Sequence, residues 1–392
     1  MKILGIESSC DETAAAVVEA QSVEAGVTLL SNAVASSMDL HVQYGGVVPE
    51  IAARSHIEAI NGVIQQALDD AGCTWDDIDA IAVTYGAGLG GSLLIGVLAA
   101  RTLAITKNKP LYAINHVEAH VYANFITKIR PSPALSAYVS RESQPEFPML
   151  ALIVSGGHSQ LALFRDHFDY TLLGQTADDA IGEAFDKVAK ILGLPYPGGP
   201  SVGKKAAEGN PHAFTFPKAQ MKIPSEALVA LREQKTINNK QDELSPKPSA
   251  LPPTYDYSFS GVKTAVLRTC QELIGEDFSF PSKDIAERLS EAQKADVAAS
   301  FQRVAVETVV DKTIAAFEEF QPRSVVIAGG VAASPELRRQ LSERLPIPIA
   351  FPDLKLCTDN GAMIATLACY KAQLSQPQAD PYTLDIQPNL SM

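Results

Sequence analysis

His116 and His120 stand four residues apart in the run Ile114-Asn115-His116-Val117-Glu118-Ala119-His120, and on a helix that spacing aims both imidazoles at one side. This is the geometry of a metal clamp. Glu118 follows the first histidine by two residues, about 200° around a helix of 3.6 residues per turn, so it cannot serve the same ion. A zinc-protease signature needs that glutamate directly after the first histidine, where Val117 stands. A third donor must come from elsewhere, and Asp359 in Cys357-Thr358-Asp359-Asn360-Gly361 is the candidate. Two histidines and one carboxylate suit Fe(II) or Zn(II) and leave positions open for substrate. Taken alone, the pair also fits capping or solvated histidines. Asp359 alone also fits an N-cap, because Ala362, Ile364, Ala365, Ala368 and Cys369 read as an apolar helix behind it.

Glycine-rich turns are the second chemical signal, since a residue without Cβ lets backbone N–H groups approach phosphate oxygens, above all where a helix begins. Four stretches qualify, residues 8–13, 86–91, 155–159 and 329–334, and none fits a P-loop or dinucleotide fingerprint. The elements that position them repeat in outline. A strand at 3–6, a polar turn and a strand at 14–18 form a hairpin, echoed by 150–154, the turn Ser155-Gly156-Gly157-His158-Ser159, and 160–164. Each hairpin has a later companion that reads as buried strand, glycine turn and helix start. One is 81–86 running into Gly88, Gly90 and Gly91; the other is 325–330 running into a helix from about Ser334. Two similar orders of elements predict two related α/β lobes. Two hairpin tips and two strand-to-helix turns resemble the nucleotide cleft of the actin, Hsp70 and sugar kinase superfamily. Asp186 lies in a helical pattern carried by Ile181, Ala184, Phe185, Val188 and Leu192, on the other face above Gly182, where a carboxylate suits a ribose hydroxyl. Tyr196-Pro197-Gly198-Gly199-Pro200 reads as a rigid, open turn.

The 392 residues suffice for about two domains, and 32 basic against 45 acidic residues leave a net charge of −13. A global electrostatic grip on nucleic acid or an anionic membrane is therefore not expected, and any phosphate-bearing partner needs a local patch. Residues 204–247 offer one, with eight Lys or Arg against five Asp or Glu. The five scattered cysteines never form a C-x-x-C pair, which argues against a disulfide framework and a thiolate zinc site. With no signal peptide and no membrane span in the pattern, a soluble cytoplasmic protein is expected. Residues 131–148 read as a Pro- and Ser-rich linker or surface loop, about 225–255 as a polar insertion, and the tail after Leu374 as irregular. The expected division is an N-terminal lobe, 1–130, completed by a C-terminal helix within 356–392, and a second lobe, 131–355, that carries the insertion.

Ordered motifs run from the first strand to about Tyr370. They are residues 5–13 (Gly-Ile-Glu-Ser-Ser-Cys-Asp-Glu-Thr), 45–50 with Arg54 and His56, the His116/His120 pair, 154–158, 182–187, 196–200, 258–264 (Ser-Phe-Ser-Gly-Val-Lys-Thr) and 358–361. Together they resemble the tRNA threonylcarbamoyladenosine transferase family in its bacterial form. The resemblance implies that His116, His120 and Asp359 hold a metal, usually iron(II). It further implies that Ile153, Val154, Ser155, Gly156, Gly157, Asp186 and Gly199 bind threonylcarbamoyl-AMP. One position departs: Ser334 stands where many members have Asn, and a hydroxyl lacks an amide's paired donor and acceptor. The implied partners are tRNA, a catalytically silent paralogue of the TsaB type and a small ATPase of the TsaE type. Asp11 or Glu12, at a hairpin tip facing the cleft, is the expected general base or its orienter. The positive stretch, with Lys204, Lys205 and Lys218, is the expected tRNA contact. The rival readings are a small-molecule kinase of the same fold, a metalloprotease disfavoured by ligand spacing, and a non-catalytic nucleotide-binding scaffold.

Overall fold

The computed structural model describes residues 1–141, 143–219 and 255–392. Its first sheet comprises β1 (Lys2–Glu7), β2 (Glu12–Ala20), β3 (Val27–Ser36), β4 (Ala80–Gly86), β5 (Leu111–Asn115) and β6 (Ile126–Ile129), in the order β5-β4-β1-β2-β3-β6. The second comprises β7 (Met149–Val154), β8 (Ser159–Asp166), β9 (Asp169–Gln175), β10 (Ser324–Ala328) and β11 (Ile349–Ala350), in the order β11-β10-β7-β8-β9. Apart from β6, the two orders are the same. In each, an antiparallel hairpin, β1–β2 or β7–β8, lies beside a parallel strand, β4 or β10. The repeat expected from the element order is thus a repeat of topology. Its cause is visible in the burial: β7 is buried at every position and β10 at four of five, as strands covered on both faces must be.

Among the described residues the helices longer than one turn are α1 (Pro49–Ala71), α2 (Gly90–Lys107), α3 (His116–Tyr122), α4 (Ile181–Leu192), α5 (Gly198–Ala206), α6 (Ser260–Leu273), α7 (Glu291–Phe320), α8 (Pro335–Arg344) and α9 (Gly361–Gln373). Among the described residues α2 is the one helix long and apolar enough to cross a membrane, and it packs instead on β4 and α1. The insertion expected at 225–255 lies outside the described residues except for Tyr255, whose hydroxyl donates to Glu319 Oε2 at 2.6 Å.

α9 decides how the halves join. Residues 361–370 are all buried, as a helix apolar on every side requires. It packs on β1 and β2 and shares one core with Val117, Val121 and Tyr122 of α3 and with Ala151, Ile153 and Val326 of the second sheet. The approach is close enough to demand glycine. A Cβ on Gly5 would stand 2.5 Å from Ala365 N and 2.8 Å from its Cβ, and one on Gly361 would stand 2.5 Å from Ala16 N. Gly5→Ala is therefore expected to destabilise the fold by about 1–3 kcal/mol, the usual cost of overpacking. A urea midpoint equal to wild type would show that α9 can slide away from β1 at no cost.

The tail beyond α9 is irregular, as expected, but is strapped to the first sheet. Ala379 N donates to Leu111 O at 2.8 Å and Gln387 N to Tyr85 O at 2.7 Å. Arg101 donates to the carbonyls of Pro381 at 2.6 Å and Tyr382 at 2.7 Å. The described residues of the 131–148 stretch, 131–141 and 143–148, lie between the two sheets in the chain and are anchored by buried Leu135 and by Arg141, which donates to Asn124 O at 2.6 Å.

Candidate metal centre and cleft

Asn115 ends β5 and caps α3, its side chain accepting from Val117 N at 2.9 Å and Glu118 N at 3.3 Å. His116 therefore opens the helix and His120 follows one turn on, with ring centroids 4.7 Å apart. Asp359 arrives from the start of α9. Asn360, not Asp359, caps that helix, accepting from Met363 N at 2.9 Å, so the Asp359 carboxylate turns to the histidines. Its Oδ1 lies 3.6 Å from His116 Nε2 and 3.4 Å from His120 Nε2. One donor atom from each residue falls within 4.8 Å of the others.

These separations are long for N–H···O hydrogen bonds, and both ring nitrogens of His120 are buried without a hydrogen-bond partner. Two ligands each about 2.1 Å from a tetrahedral cation lie about 3.4 Å apart. The donor set thus fits a shared divalent ion better than a shared proton. Glu7, at the end of β1, completes the arrangement from behind. Its Oε2 is 3.1 Å from His116 Nδ1 and accepts from Thr84 Oγ1 at 2.6 Å, while Oε1 accepts from Ser9 N at 2.5 Å. A proton on Nδ1 toward Glu7 leaves the Nε2 lone pair toward Asp359. Burial opposes the imidazolium, yet Asp359 and Glu7 outweigh it and push His116 up to about 9. Burial likewise opposes charge on Asp359, and the two imidazoles nonetheless hold its carboxyl far below the usual range.

The tip at 8–13 is clamped from two helices. Ser8 Oγ donates to Ser92 O at 3.0 Å, Ser92 Oγ donates to Cys10 O at 3.1 Å, and buried His56 bridges Thr13 Oγ1 at 2.8 Å and Cys10 O at 3.0 Å. Glu12 Oε1 accepts from Ser36 Oγ at 3.2 Å. Burial, then Asp359 and Asp11, pushes Glu12 up to about 9.

Opposite stands the second hairpin tip. Ile153 and Val154 are fully buried in different cores, so only their main chain reaches the tip. Ser155 Oγ accepts from His158 N at 3.1 Å, and a Cβ on Gly156 or Gly157 would meet nothing within 4 Å. Asp186 Oδ1 accepts from Gly198 N at 2.6 Å, and burial raises its carboxyl. Gly199 is open and Gly198 is not, since a Cβ there would stand 2.6 Å from Asp186 N. Ser334 is the N-cap of α8, its Oγ accepting from Leu337 N at 3.4 Å, so its hydroxyl already has a structural role.

The 258–264 motif serves to dock α6. Asp178 accepts from Ser258 Oγ at 2.5 Å, Ser260 Oγ at 2.7 Å and Phe259 N at 2.8 Å, while Asp179 pairs with Lys263 at 2.9 Å and Lys187 at 2.6 Å. Of the three lysines expected to contact tRNA, Lys205 pairs with Glu208 and Glu291, and Lys218 with Glu307 and Asp311. Lys204 is exposed, and the part of the positive stretch beyond residue 219 lies outside the described residues. Glu7, His56 and Asn360 escaped the sequence reading as site-building residues. For Glu7 a signal existed, a carboxylate directly at the end of an apolar strand.

Two topologically equivalent α/β lobes with a polar cleft between their hairpin tips define a protein of the actin, Hsp70 and sugar kinase class. The sequence comparisons carry this to a family. The model of the family described as tRNA N6-adenosine threonylcarbamoyltransferase matches residues 28–366. Curated relatives of that name include one from Thermomicrobium roseum, 44% identical over 95% of this chain and 92% of its own length. Another, from Dehalococcoides mccartyi, is 42% identical over 100% of this chain and 99% of its own. The chain belongs to the tRNA N6-adenosine threonylcarbamoyltransferase family. A solved activator of 2-hydroxyisocaproyl-CoA dehydratase from Clostridium difficile covers 99% of this chain and 100% of its own, at 13% identity and a TM-score of 0.45, too loose to add to that assignment.

Proposed function

We infer that this protein transfers the threonylcarbamoyl group of threonylcarbamoyl-AMP to the N6 amine of the adenosine beside the anticodon, in tRNAs that read codons starting with A. The observation that carries the reading is the placement of His116, His120 and Asp359 between two polar hairpin tips, within electrostatic reach of Glu12. A divalent ion held by these three, iron(II) before zinc, would supply Lewis-acid charge to the adenylate. The open main chain at Gly156 and Gly157 suits its phosphate, the remaining oxygen of Asp186 a ribose hydroxyl, and Gly199 a flat face of the base. The N6 lone pair is delocalised into the purine, so attack on the acyl carbon needs a proton acceptor. Glu12, oriented by Asp11 and Ser36, takes the amine proton as the N–C bond forms and the C–O bond to phosphate breaks, releasing AMP. A silent paralogue and a small ATPase act with it in the cytoplasm.

The test is direct. Purified protein is incubated with threonylcarbamoyl-AMP, tRNA and active partner proteins, and digested tRNA is examined by mass spectrometry for the modified nucleoside. Its absence overturns the reading. The metal arrangement has its own test in Glu7→Gln, which keeps the shape but weakens the charge behind His116. Affinity for the ion, titrated against a chelating indicator, is expected to fall about 10–100-fold. Equal affinity would mean that Glu7 only fills space.

A further inference from the structure

A cavity of about 310 Å³ opens between the lobes, with Gln43, Tyr44 and Gly45 on one side and Asp186, Lys190 and Tyr196 on the other. Its two tyrosines face it from different lobes. Tyr44 is 54% exposed. Among the described residues neither ring has an aromatic neighbour and neither hydroxyl a hydrogen-bond partner. Each phenol therefore presents to the cavity a ring face and a hydroxyl that no described residue occupies, and both are open to a ligand. The volume lies at the small end of ligand sites, enough for a nucleoside and too little for a folded nucleic-acid segment.

What lies beside the cavity narrows its occupant. Asp186 forms one wall, and burial, followed by the charges of Asp186 and Asp11, raises the Tyr196 phenol, as does nearby Glu12. The cavity therefore lies within electrostatic reach of the Asp11–Glu12 tip. Exposed Lys190 at the rim is suited to a flanking phosphate. We propose that this cavity receives the acceptor adenine of the tRNA, splayed out of the anticodon loop and stacked on Tyr44 and Tyr196. The inference rests on the transferase reading above. It has physical logic: a base in a single-stranded loop costs little to extrude, and tyrosine faces grip it without reading sequence.

The experiment uses the full chain with its partners and an anticodon stem-loop RNA. Tyr44→Ala is expected to raise the KM for RNA on the order of tenfold while the Kd for threonylcarbamoyl-AMP stays at the wild-type value, and Tyr44→Trp is expected to restore the KM. In a second measurement, 2-aminopurine replaces the acceptor adenosine. Its fluorescence should be quenched on binding wild type or Tyr44→Trp and remain bright with Tyr44→Ala. An unchanged KM together with an unchanged quench in Tyr44→Ala overturns the inference. So does a loss of adenylate affinity without a change in KM for RNA, which would assign the cavity to the donor. Absence of modified nucleoside from wild type overturns the transferase reading instead, so the two failures are distinguishable.

Discussion

Asp359→Ala is expected to lower the single-turnover rate by at least about 10²–10³-fold and to lower ion occupancy with it. Replacing a group that merely supports a ligand already costs about 10–100-fold, and a ligand costs more. Asp359 Oδ1 is the atom common to both histidine pairs, at 3.6 Å and 3.4 Å. Removing it leaves two neutral donors that cannot balance a divalent charge in a buried site. The chain should still fold, because Asn360 caps α9 and Asp359 does not. Asp359→Asn, which keeps an oxygen without charge, should fall between wild type and alanine. The rate is measured at saturating adenylate and the ion by elemental analysis of the same sample. Wild-type rate in a variant free of bound ion would remove the ion from the chemistry.

Glu12→Gln should match that loss through a different cause, a drop of about 10²–10⁴-fold in rate with adenylate affinity unchanged. Burial, Asp359 and Asp11 push Glu12 up to about 9. A carboxyl so raised is protonated at neutral pH and accepts no proton. A divalent ion held beside Asp359 would cancel part of that repulsion and bring Glu12 down toward the working range. The sign follows: a base acts only when deprotonated, so the rate should climb with pH through the Glu12 pKa and level off above it. Glu12→Gln should lose that limb. Retention of the same acidic limb in the variant would assign it to another group, with Asp11 next to be tested.

Much of this architecture is legible in residue patterns because periodicity and burial are local. The hairpin at 150–164, the glycine turns and the histidine pair all appear where their spacing puts them. Two features are not legible, each for a non-local reason. Lys205 and Lys218 look like free charges, but their acidic partners include Glu291, Glu307 and Asp311 on α7, far along the chain. The support that Glu7 gives His116 spans 109 positions.

From its sequence alone this protein was committed to two α/β lobes with glycine-lined tips, because strand alternation, helical spacing and turn chemistry act over a few residues. Only the tertiary structure decided that α9 lies between the sheets, that Asp359 turns to the histidines, and that Tyr44 and Tyr196 share one cavity. Those contacts join residues hundreds of positions apart in some cases and from opposite lobes in others. Close backbone packing at Gly5 and Gly361 seats α9, and no local pattern records it.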